Sequence, residues 1–213
     1  RRLGHDHPRS RGLAAPTAMT VTVHWIPLGA DGHVVARCGR AYEAVAARRS
    51  HRAPARLVHA GLTVGVDGHR YVIEQAPAWG APAKERGVVV TGPVGLRVLG
   101  RMPLFRYEVR CWRDGMIPDL RCAIAHDTIS DDEPTARRLV DLTPWVPDYT
   151  WGRRAPGTDE MWNSNAVIAW LLASTGVDSA ARLPDGCRAP GWESGRMLAA
   201  PSRPTREEPR DRR

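Results

Sequence analysis

Three side chains, His59, Glu74 and Ser164, have the composition of a general base, an acid that orients it and a nucleophile. Ser164 stands between Asn163 and Asn165, directly before the apolar run Ala166-Val167-Ile168-Ala169-Trp170-Leu171-Leu172. Ser and Asn favour helix N-caps because their side chains satisfy amides left free in the first turn. The partial positive charge at a helix start also stabilises a developing oxyanion. Backbone amides there, with Asn163 or Asn165, are the expected oxyanion donors. Taken alone, the same segment reads first as an ordinary Asn or Ser cap on a core helix.

The histidine and the acid need strands to place them. Leu57–Val66 and His69–Pro77 are two apolar runs of strand length around Asp67-Gly68, a strong hairpin signal. Residues two apart on a strand share a face. His59, Gly61 and Thr63 therefore lie together, while Tyr71, Ile73 and Gln75 alternate with Val72, Glu74 and Ala76. Whether Glu74 shares the face of His59 depends on the hairpin register, which sequence leaves open.

This order, a histidine early in a strand, a polar residue on the next strand and a nucleophile at a helix start, resembles the circularly permuted papain-like fold. That group includes the lecithin retinol acyltransferase-like and PPPDE-type proteins, relatives of the NlpC-type cysteine peptidases. Tyr71-Val72-Ile73-Glu74-Gln75-Ala76-Pro77 is similar to the acyltransferase-like second strand, with Glu74 where that branch carries a second histidine. Asn163-Ser164-Asn165 is similar to the PPPDE motif Asn-Cys-Asn. The resemblance implies an α+β domain, an antiparallel sheet with the Ser164 helix packed against it. It also implies hydrolysis or acyl transfer at an amide, ester or thioester of a small molecule or peptide. One departure matters: the family nucleophile is Cys, and here it is Ser164. A hydroxyl is far less acidic than a thiol, so it needs a base acting during attack. A catalytically silent binding domain using the same cleft is the alternative expectation.

The remaining elements fit α+β. Val34 to Arg49 has helical character, with Cys38, Tyr42, Val45 and Ala46 spaced for a buried stripe. Val88–Thr91 reads as a short strand, and Phe105, Tyr107, Val109 and Cys111 alternate as the core face of another. Ser130-Asp131-Asp132-Glu133-Pro134 reads as a helix start. Trp79 and Trp162, close in sequence to Glu74 and Ser164, are candidates to wall an apolar pocket, or else belong to the core.

A length of 213 residues suits one domain over residues 19–200, with residues 1–18 read as a disordered leader and 201–213 as a disordered tail. The net charge of +8 sits mainly at the ends: residues 1–12 carry four Arg against one Asp, and residues 203–213 carry five Arg against three acids. With no basic stripe on a predicted element, nucleic acid is not an expected partner. No run is long and apolar enough to span a membrane. Cys38, Cys111, Cys122 and Cys187 form no CxxC pair, and no HExxH spacing links His24, His33, His69 and His126, so neither a metal nor a cofactor is expected. Without an apolar signal segment, free thiols and a cytoplasmic location are the expectation.

Overall fold

A computed structural model describes residues 20–30, 33–78 and 83–199. The leader, the tail and Trp79 lie outside the described residues.

Chain order runs β1 (Val21–Pro27), α1 (His33–Arg49), β2 (Arg56–Val66), β3 (His69–Pro77), β4 (Val88–Pro93), β5 (Arg106–Arg113) and β6 (Ala125–Ser130). Then follow α2 (Glu133–Leu142), α3 (Ser164–Thr175), β7 (Cys187–Arg188) and α4 (Trp192–Leu198). The strands form one sheet in the order β4-β5-β3-β2-β1-β6, with β7 beside the start of β2. All pairings are antiparallel except β2 with β7. The class is α+β. Asp67 and Gly68 make the β2–β3 turn with φ of 51° and 71°, the left-handed pair that a type I′ hairpin turn requires.

The two faces of the sheet differ. Val21, Val23 and Trp25 of β1, Val58, Ala60, Leu62 and Val64 of β2, Ile73 of β3, and Tyr107 and Val109 of β5 point to one side. There they join Ala136 and Leu139 of α2 and Ala166, Val167, Ile168, Leu171 and Leu172 of α3 in the main core. Helix α3 is apolar all round and buried on nearly every side, as expected for a central helix. Gly176, at φ 78°, ends it. On the opposite side Ile26, Val72 and Ile117 form a small second cluster.

Helix α1 turns a different face inward from the expected one. Gly39, Glu43 and Ala47 are buried, whereas Cys38, Tyr42 and Val45 are exposed. The helix approaches through its small residues: a Cβ on Gly39 would meet Leu28 Cδ2 at 2.8 Å. Glu43 can be buried because its carboxylate accepts from Arg52, Arg188 (3.2 Å) and the Ala55 N–H (2.8 Å). These bonds, the Arg52 one foremost, hold its pKa down at about 2.

Candidate functional site

The strand that carries His59 parts from its neighbour. Strand β3 pairs with β2 from Val66↔His69 to Leu62↔Ile73 and then continues with β5 alone as far as Pro77↔Tyr107. Strand β7 holds β2 at Arg56 and Leu57. Between those pairings Val58 and Ala60 face an opening in the sheet. Asn165 fills it: Oδ1 accepts from the Ala60 N–H at 2.8 Å, and Nδ2 donates to the carbonyls of Val58 and Pro190, each at 3.0 Å. One side chain thus substitutes for a missing strand and fixes the first turn of α3 against the backbone on either side of His59.

The helix start is organised around that tie. Asn163 is the N-cap, its Oδ1 accepting from the Ala166 N–H at 3.1 Å and its Nδ2 donating to Pro190 O at 2.8 Å. Ser164 is the first helical residue and is 8% exposed. Both asparagine amides are therefore committed to structure. The backbone N–H groups of Ser164 and Asn165 have no hydrogen-bond partner among the described residues.

His59 projects from the face of β2 that carries Gly61 and Thr63, away from the core side chains of Val58 and Ala60. Its Nε2 lies 2.9 Å from Asp119 Oδ2. Asp119 belongs to the loop after β5, whose Ile117 packs on Ile26 and Val72. Gly61 makes room for that loop, because a Cβ there would meet Ile117 Cδ1 at 2.8 Å. Burial alone would raise the pKa of Asp119, but the hydrogen bond and charge of His59 outweigh it and hold the carboxyl below its ordinary range. A carboxylate at Nε2 favours the tautomer protonated there, leaving the Nδ1 lone pair as the base.

The hairpin register does place Glu74 on the face of His59, since Thr63 pairs with Val72. Glu74 nevertheless pairs elsewhere. It accepts from Arg110 Nη1 at 2.9 Å, its direct neighbour on β5. Arg110 also binds Glu108, which in turn binds Arg86. All four side chains are buried. Burial, reinforced by the nearby Asp119 charge, holds the Glu74 pKa above its ordinary value despite Arg110 and His59. The acid in contact with His59 is Asp119, and Glu74 anchors a chain of alternating charges behind it.

Gln75 is the other residue that motif reading passed over. It lies two positions from Ile73 and so projects toward the α3 side of the sheet. It is 5% exposed, and neither amide atom has a partner among the described residues. Had β2 and β3 stayed paired, Gln75 would sit opposite Ala60, whose N–H Asn165 has taken. An unsatisfied buried amide costs about 1–3 kcal/mol, which is unusual where nothing is to be bound. Trp162 is fully buried and edge-on to Tyr149 at 5.2 Å between ring centroids, so it belongs to the core.

His24 lies farther along the His59 face, its Nε2 2.9 Å from Thr63 Oγ1. Burial, then the nearby His126 and Arg70, press its pKa down to about 4. No group of three His, Cys, Asp or Glu side chains among the described residues is placed to hold a metal ion. No helix among them is long and apolar enough to cross a membrane. Comparison with protein-family models, with characterised proteins and with solved structures finds no match to this chain.

Proposed function

We propose that this chain is a hydrolase or acyltransferase of permuted papain-like arrangement, acting on an amide, ester or thioester through Ser164, His59 and Asp119. What supports the reading is the Asn165 tie, which holds the first turn of α3 to the backbone on either side of His59, and the pairing of that histidine with a carboxylate. In this reading His59 Nδ1 takes the Ser164 Oγ proton as Oγ bonds to the acyl carbon, which requires the imidazole to turn from the loop face of β2 toward the opening at Ala60. Asp119 stabilises the imidazolium so formed. The carbonyl electron pair moves to oxygen, where the Ser164 and Asn165 N–H groups and the Gln75 amide are the donors. Collapse expels the leaving group, which receives the proton from His59. Water or a second acceptor then releases the acyl group by the same steps in reverse.

A fluorophosphonate probe tests this, because only an activated serine is labelled. The wild-type protein is expected to label, Ser164→Ala and His59→Ala to fail, and Asp119→Asn to label more slowly. Undiminished labelling of Ser164→Ala would overturn the assignment. The Ser164→Cys variant adds an independent measure: beside a helix N-terminus and an imidazole its thiol should alkylate with iodoacetamide faster than free cysteine near neutral pH, and His59→Ala should slow it. The four native thiols are subtracted with wild-type protein. A second reading, a silent binding domain, draws on the burial of Ser164 and the full engagement of both asparagine amides. A folded wild type without labelling, with an ordinary Ser164→Cys thiol, selects it.

A further inference from the structure

A cavity of about 500 Å³ opens between α1 and the adjoining ends of β1 and β2. Its wall is mainly apolar, with Pro27, Leu28, Ala36 and Leu57, and Arg40, Glu43 and Arg56 supply charge. That size and lining match a small-molecule site. Leu57 is two residues from His59, on the same face of β2, so about 7 Å of strand separates the cavity wall from the imidazole-bearing position.

The charges in the cavity are unequal in their commitments. The Glu43 carboxylate is fully taken up by Arg52, Arg188 and the Ala55 N–H. The guanidinium groups of Arg40 and Arg56, both exposed, make no hydrogen bond or ion pair among the described residues. Around them α1 carries Arg37, Arg48 and Arg49 with Glu43 as its one acid. An apolar wall with two uncommitted guanidinium groups is complementary to a ligand with a short apolar body and an anionic end, since Arg pairs carboxylate and phosphate through parallel N–H donors.

We propose that this cavity, on the His59 side of β2, binds a small ligand whose carboxylate or phosphate is held by Arg40 and Arg56, with its apolar stem against Leu28 and Leu57. This binding goes beyond the proposed reaction and does not depend on Ser164 as its nucleophile.

Calorimetric titration of Ser164→Ala protein with hexanoate, hexyl phosphate and neutral hexanamide tests it, the variant excluding turnover. One of the anions is expected to bind at least tenfold more tightly than hexanamide, and which one does so identifies the anionic group. Arg40→Gln and Arg56→Gln should each remove most of that preference, while Arg48→Gln, on the same helix outside the cavity, should leave it. Both arginines are exposed, so neither variant endangers folding. Equal binding of hexanamide, no binding of any probe, or an anion preference that survives both substitutions would overturn the proposal. Anion binding in a protein that the fluorophosphonate never labels would retain the cavity as an anion site and remove the catalytic reading alone.

Discussion

Replacing Asn165 by alanine isolates the contact on which the site geometry depends. The side chain is 3% exposed and makes three hydrogen bonds, to Ala60 N, Val58 O and Pro190 O. Pro190 O keeps a second donor in Asn163, so the substitution newly orphans one buried N–H and one buried carbonyl. Each orphan costs about 1–3 kcal/mol, giving about 2–6 kcal/mol in all, with the low end expected if water enters the vacated space. A typical domain has only about 5–15 kcal/mol in total, so the effect is large. Urea unfolding at neutral pH, followed by circular dichroism, should show the midpoint falling with little change in slope. Asn165→Asp should do no better: it keeps the acceptor for Ala60 but sets a carboxylate against two carbonyl oxygens. A loss under about 1 kcal/mol for Asn165→Ala would refute the claim that this amide substitutes for a strand.

Two further outcomes follow from the buried charges. Arg110→Met should cost about 3–5 kcal/mol at pH 8 in the same assay, because it strands the Glu74 carboxylate, and the loss should shrink as pH falls, because the already raised Glu74 carboxyl takes a proton more readily. His24 titrates near 4 when folded and near the ordinary histidine value of 6.5 when unfolded, so the unfolded chain binds the extra proton between those values and stability falls as pH drops through that window. Because the ring is only partly buried, the loss should be about 1–2 kcal/mol rather than the full unscreened shift, and His24→Gln should flatten it in pH-dependent urea titrations.

Local signals carried much of the architecture. Asp67-Gly68 announces its hairpin because both residues readily take the left-handed conformation of a type I′ turn, and the Asn163 cap announces α3 because its acceptor is needed there. What escaped was long-range. Glu74 looks like the partner of His59 because the register sets both on one face, but Arg110, directly across on β5, has the closer claim on its carboxylate. Asp119 reaches His59 from 60 residues away through a loop whose Ile117 packs closely over Gly61, and no periodicity encodes that. The α1 stripe misled for a related reason. Hydrophobic spacing selected Tyr42 and Val45, whereas close approach to Leu28 selected Gly39, and three partners from elsewhere made Glu43 the buried residue. Gln75 lies in a legible strand, yet its lack of partners is visible only once β2 and β3 are seen to part.

The opening in the sheet has a consequence for the order in which the chain is made. Two of the three groups that Asn165 bonds, Val58 O and Ala60 N, emerge from the ribosome early, and Asn165 follows Val58 by 107 residues. At about 5–20 residues per second, the Val58–Ala60 edge stays bare for roughly 5 to 20 seconds of synthesis. Throughout that interval it offers a free N–H and a free carbonyl to any other nascent strand, the situation in which chains pair with one another instead of with themselves. Slowing translation between codons 60 and 165 should therefore lower the soluble yield, and an Asn165→Ala chain should aggregate during synthesis even where the finished protein remains folded.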